Sequence, residues 1–256
     1  MLKKVYISLG VSVVLFPLFL LLILSFGKQW SYPHIIPKEF SLVHWISVFQ
    51  LNSTLPITIL KSLVISLSVA TIVTAVSFFS AKHVSYSVHR KKWLFLAYIP
   101  YVCSPVIFAA TLQFYFTYTD LSGTMLGIII AQLFITYPFG VIIFSNFWND
   151  NIKSIEQLST TLGSSPVQTF QKVVFPLSKS VLLLCFFQVF LISWFEYGLT
   201  TLIGVGKVKT LTISVFQYIQ EANLFLAALA SCLLVIPPML LLFINKRFVF
   251  TNQQIG

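Results

Sequence analysis

Glu196 is the one acidic residue set inside an apolar run long enough to cross a bilayer. A carboxylate costs about 2.5–3.5 kcal/mol at the centre of such a segment, and less near its end, where Glu196 falls. Three roles are open to it: a side chain reaching interfacial water, a gate or pathway-lining group, or a proton relay. Gln188 and Cys185 share its broad helical face, so Gln188 and Glu196 are pathway or gate candidates. Gln132, Thr136 and Gly140 recur every four residues along another run. A stripe of this kind either packs helix against helix or lines a solute path. Gln113 is a weaker example.

Other reactive residue types point to no catalysis. Cys103, Cys185 and Cys232 sit inside apolar runs and read as small apolar residues. His34, His44, His83 and His89 are scattered over polar connections, and there is no His-Glu-x-x-His pattern, so no metal site is expected. Gly204-Val205-Gly206-Lys207 invites comparison with a phosphate-binding loop. The spacing fails, because Thr201 holds the first glycine position and Val208 follows the lysine. ATP binding, if needed, must come from another chain.

The elements that hold these residues are set by composition. The 256 residues are 57% hydrophobic and only 9% charged, with mean hydropathy +0.92, too apolar for a water-soluble domain. Spanning a bilayer takes about 20 apolar residues in helical form, because the backbone must satisfy its own hydrogen bonds. Six stretches qualify, about 5–26, 57–80, 93–115, 124–146, 180–203 and 222–245. They predict an all-α polytopic membrane protein with one transmembrane domain over 1–256. Continuous rather than alternating apolarity disfavours a β-barrel. Pro100, Pro105, Pro138, Pro237 and Pro238 predict kinks or breaks. The run after Lys3 and Lys4 exceeds the ~7–15 apolar residues of a signal peptide, and no small-x-small site precedes Lys28, so it reads as a retained first span.

Charge placement orients the spans. Lys3, Lys4, Lys82, Arg90, Lys91, Lys92, Lys153, Lys172, Lys179, Lys246 and Arg247 fall on one side of a six-span arrangement. Only Lys28, Lys38, Lys61, Lys207 and Lys209 fall on the other. The positive-inside rule then puts both termini and the 151–176 insert in the cytoplasm. The net charge of +10 needs no nucleic acid partner, since basic loops against anionic headgroups account for it. Trp30, Tyr32 and Trp45, on the outer side, are candidates for touching an external partner.

That insert is organised. Ile152, Ile155, Leu158, Ser159 and Leu162 share one helical arc of roughly 120°, so an amphipathic helix of about three turns is expected. Asn149, Asp150 or Asn151 can cap its start, and Gly163 suits a left-handed end. Ser165-Pro166-Val167-Gln168 has capping-box spacing with proline at the first helical position, and Pro176 predicts a bend into the fifth span.

The loop resembles the signature loop of binding-protein-dependent ABC importer permeases. That pattern runs Glu-Ala-Ala, three residues, Gly, nine residues, Ile-x-Leu-Pro. Here nine residues separate Gly163 from Val173-Val174-Phe175-Pro176, while the triplet is Gln157-Leu158-Ser159, with Glu156 one position early and ~100° around the helix. Ile36-Pro37-Lys38-Glu39-Phe40-Ser41-Leu42, Lys61-Ser62-Leu63, Ser193 to Leu199 and Lys209-Thr210-Leu211 are also similar to family segments, especially in members handling spermidine or putrescine, ferric iron, thiamine or oxyanions.

The resemblance implies a six-span inner-membrane subunit of a bacterial ATP-driven importer, with a cytoplasmic coupling-helix pair over 149–178 between helices 4 and 5. It implies ATPase-coupling residues Ile155, Glu156, Gln157, Leu158, Leu162, Gly163 and Pro176. The implied partners are two ATP-binding subunits carrying the ATP and Mg, a second permease of the same or a different chain, an external solute-binding protein and the lipid bilayer. The solute would be small and polar or charged. A self-sufficient secondary transporter is the alternative, though it calls for paired halves and buried ion ligands, and no paired halves are visible.

Overall fold

The computed structural model describes residues 2–29, 37, 39–48, 50, 54–102 and 104–249. Trp30, Tyr32, His34, Ile36, Lys38 and Cys103 lie outside the described residues. Helices dominate, as continuous apolar runs with internally satisfied backbones require. Four of them are long and apolar enough to cross a membrane: α3 (Leu55–Tyr86), α6 (Met125–Phe147), the helix Pro166–Trp194 and α12 (Leu224–Val249) over Leu224–Ile244. A fifth span results if α4 (Arg90–Val102) and α5 (Pro105–Tyr118) count as one broken pair, bent by 86°. Helix α1 covers Leu2–Ser25, and its described apolar stretch is Leu15–Ser25. The chain is a multi-pass membrane protein.

The prolines act unequally. Pro105 starts α5 in its first turn, where its missing N–H costs nothing, with Ser104 extended before it. Pro138 in α6 and Pro237 and Pro238 in α12 lie within single helices, so no break occurs at these expected positions.

The chain forms two compact units. The first comprises Met1–Ser62 and Lys209–Met239. In it, β1 (Gly27–Gln29) pairs antiparallel with β2 (Glu39–Phe40), followed by the short α2 (Val43–Val48). A Cβ at Gly27 would overlap Phe225 and Pro37, so glycine permits this close approach. Trp45 stacks on Phe26 at 5.7 Å. Thr210 caps α11 (Leu211–Gln220), and the buried Ser62 hydroxyl accepts the Leu211 N–H at 2.7 Å.

The second unit comprises Leu63–Val208 and Leu240–Gly256. Its core joins Val69, Ala70 and Val73 of α3 to Ile128 and Ala131 of α6. Cys185, Val189 and Phe190 of α9 (Phe175–Trp194) complete it, with Leu199 and Ile203 of α10 (Gly198–Gly204). Gly140 of α6 stands where any Cβ would overlap the Ser77 side chain of α3, so these helices approach closely at that level.

One expected span needs correction. The apolar run at 180–203 is not one helix: α9 ends at Trp194, the chain turns at 195–197, and α10 starts afresh at Gly198. At the break the Glu196 carboxylate accepts the Leu199 and Thr200 amides of the new helix.

Candidate functional site

Between α6 and the helix Pro166–Trp194 stands α7 (Asp150–Thr161). Asn149 starts it by accepting the Ile152 N–H at 3.1 Å. Its end is a Schellman turn. Gly163 takes φ +85°, its N–H donates to the Thr160 carbonyl at 3.0 Å, and the Ser164 N–H donates to the Ser159 carbonyl at 3.2 Å. Nothing surrounds the space a Cβ would fill at Gly163, so backbone conformation rather than crowding selects glycine.

The chain then re-enters helix through a complete capping box. Ser165 Oγ accepts the Gln168 N–H at 3.3 Å, and Gln168 Oε1 accepts the Ser165 N–H at 3.1 Å, opening α8 (Pro166–Thr169). The helix is not broken at Pro176. Residues Phe170–Val174 form a π-helical turn whose Phe175 N–H donates to Phe170, five residues back, and the helix runs on as α9. The wider turn accommodates a proline that offers no N–H and whose ring would crowd the carbonyl four residues earlier.

Helix α7 has two dissimilar faces. Ile152, Glu156 and Ser159 turn inward, and Ser159 shares a 3.0 Å hydrogen bond with Thr169 of α8. Ile155, Leu158 and Leu162 turn outward and are 38%, 62% and 79% exposed. The single apolar arc read from the sequence is thus divided, with its bulkiest members on the open side. Gln157 is also exposed.

Glu156 does not join that open face. Its carboxylate is only 16% exposed, meets Lys82 Nζ at 2.5 Å and accepts the Tyr86 hydroxyl at 3.2 Å. Lys82 also lies over the Trp148 ring at 5.0 Å, Lys153 lies over Tyr86 at 5.4 Å, and the buried Trp148 indole donates to the Phe78 carbonyl at 2.9 Å. These contacts tie α7 to the end of α3. Lys82 and Tyr86 were invisible as partners in the sequence because they lie 74 and 70 residues from Glu156.

A second polar cluster lies among the membrane helices. Gln132 is buried, its Oε1 accepts Ser193 at 2.5 Å and its Nε2 donates to Thr200 Oγ1 at 3.0 Å. Thr200 Oγ1 in turn donates to Glu196 at 2.7 Å. Both Glu196 oxygens are engaged by backbone, from Leu199 N–H and Thr200 N–H at 2.8 Å each, so the carboxylate caps α10. Thr136 bonds back to the Gln132 carbonyl at 2.7 Å. With Gly140 against Ser77, the stripe Gln132, Thr136 and Gly140 stands inside the packed helices, whereas Gln188 is exposed. Ser193 and Thr200 were missed in the sequence; a restart signal after Gly198 could have exposed Glu196 as a cap.

The described residues hold no group of three His, Cys, Asp or Glu side chains suited to a metal ion. Gly204, Val205 and Gly206 form a left-handed turn ending α10, with φ +45° at Val205 and +71° at Gly206. What the site offers is mechanical: an exposed apolar stripe on a short helix, anchored to a membrane-length helix by an ion pair.

Comparison with known proteins adds the following. No family model matches the chain. It is 20% identical over 261 residues to the inner membrane ABC transporter permease protein YcjP of Escherichia coli K12, covering 98% of this chain and 93% of that one. It is 30% identical over 118 residues to the probable sulfate transport system permease protein CysT of a Helicosporidium species, covering 45% and 43%. It is 28% identical over 130 residues to the putative ferric transport system permease protein FbpB 1 of Haemophilus influenzae, covering 51% and 20%. The chain thus spans less than half the length of the last two. Among solved structures, a chain of a bacterial ABC transporter involved in import of the acidic polysaccharide alginate superposes with TM-score 0.73 at 14% identity, over 96% of this chain and 95% of that one. The two share a fold.

Proposed function

From its similarity to ABC transporter permeases, we propose that this chain is the membrane subunit of an ATP-driven importer in the bacterial inner membrane. Six spans carry it, α1 first and the bent α4–α5 pair third, with both termini and α7 in the cytoplasm. The observation that carries the reading is the outward stripe Ile155, Leu158 and Leu162 on a short helix between two membrane-length helices. An apolar triad at i, i+3 and i+7 on an amphipathic helix suits a groove on a partner protein.

In this reading the partner is a separately encoded ATP-binding subunit, present twice, which holds the ATP and Mg. This chain contains no Gly-x4-Gly-Lys-Ser/Thr sequence. Closure of the ATP-binding subunits moves α7, and the Lys82–Glu156 contact passes that motion to α3. A second permease completes the pathway, and an external solute-binding protein delivers a small polar or charged solute, its closed form biasing the inward–outward equilibrium. Glu156 acts inside the permease, while Gln157 and the stripe meet the partner.

The test is co-purification with separately encoded ATP-binding subunits of the same cells, comparing wild type, Leu158→Asp and Lys153→Gln. Loss of the ATPase from Leu158→Asp alone is expected. Full recovery with Leu158→Asp, with solute import intact, would overturn docking through this stripe.

A further inference from the structure

Two cavities follow α3 in the second unit, one against α6 and the next toward Trp93 of α4, and these two halves differ in chemistry. One half, about 310 Å³, is lined by Ile72, Val76, Ile130, Leu133 and Phe134. The other, about 1010 Å³, is lined by Ser80, Lys82, His83, Ser87 and Trp93 among others. Tyr137 lines both, so the halves adjoin at its side chain.

We propose that this groove seats an anionic phospholipid, with its headgroup at the Lys82–His83 end and an acyl chain along Val76 and Phe134. Length is the first argument. From Ile72 to Tyr86 a helix rises about 21 Å. A single leaflet with its headgroup layer measures roughly 20–22 Å, half of the ~40–45 Å bilayer. Polarity is the second, because Ser80, Lys82, His83 and Ser87 join an otherwise apolar and aromatic lining toward one end, as polar groups do along a lipid.

Charge is the third. No carboxylate lines either half. Lys82 is held by Glu156 yet keeps 37% of its side chain exposed, and the exposed Arg90, Lys91 and Lys92 follow on the next turns. Basic pockets between membrane helices bind anionic headgroups in this way. Trp93 and Tyr86 are the amphipathic aromatics that favour headgroup depth.

The test is native mass spectrometry of the full-length chain in detergent, titrated with phosphatidylglycerol and with phosphatidylcholine of the same acyl chains. Wild type should retain phosphatidylglycerol about fivefold or more tightly, the worth of one favourable charge near the surface. Ser87→Asp adds a negative charge at the headgroup end. It leaves the turn intact, because Asp can accept the His89 N–H as Ser87 Oγ does at 3.2 Å. The headgroup preference should vanish in this variant, while Val76→Trp should lower retention of both lipids. Equal retention of the two lipids by wild type, or an unchanged preference in Ser87→Asp, would overturn the proposal. So would competition by free glycerol phosphate at equal strength, or a Val76→Trp chain that changes only its oligomeric state, which would give the groove to a second copy.

Discussion

Replacing Glu196 by alanine removes a helix cap that the fold cannot replace. Three hydrogen bonds end on this carboxylate, from Leu199 N–H at 2.8 Å, Thr200 N–H at 2.8 Å and Thr200 Oγ1 at 2.7 Å. Leu199 and Thr200 are fully buried, so water does not substitute at the two freed amides. Each buried N–H left unpaired costs about 1–3 kcal/mol, which puts Glu196→Ala at roughly 2–6 kcal/mol. Glu196→Gln retains one acceptor oxygen but sets an NH2 against a donor, and loses about 1–2 kcal/mol. Amide hydrogen exchange on the detergent-solubilised chain tests this locally. Exchange at Leu199 and Thr200 should accelerate by about 30-fold or more in Glu196→Ala, from an opening cost lowered by at least ~2 kcal/mol. Unchanged exchange at these two amides would refute the cap, and with it the reason why the helix Pro166–Trp194 stops at Trp194.

Other outcomes follow from the same geometry. Gly163→Ala should destabilise by about 1–2 kcal/mol, purely from a side chain held at positive φ, and Gly163→Asn by less, as measured by reversible unfolding. Gly140→Ala should cost about 1–3 kcal/mol through overlap with Ser77, with much of it recovered by adding Ser77→Gly, read in the same assay. Lys82→Glu and Glu156→Lys should each lower the transport obtained per ATP, and the charge-swapped double variant should restore most of it. Trp148→Phe should loosen the α3–α6 contact by about 1 kcal/mol, through the hydrogen bond lost to Phe78.

What could be read in the sequence was local. Gly163 as a left-handed end and Ser165 to Gln168 as a capping box depend on groups within a few residues, and type and spacing alone determine them. The long apolar runs were legible for the same reason, because hydrocarbon demands continuous helix. The partners of Gln132 were not, since Ser193 and Thr200 lie 61 and 68 residues away and only packing brings them in. The break after Trp194 escaped because Gly198–Gly204 continues the apolar run, and a single carboxylate divides the two helices. Pro176 was read as a bend by its usual effect in a helix interior. A π-helical turn ending two residues upstream, at Val174, accommodates the proline without a break in the helix.

The central claim concerns the outward face of α7. A photo-crosslinking residue placed at 155, 158 or 162 in cell membranes should yield an adduct with an ATP-binding subunit, and one placed at 159, against Thr169, should not. Adducts absent from all three outward positions in a transporter that still imports its solute would contradict the account.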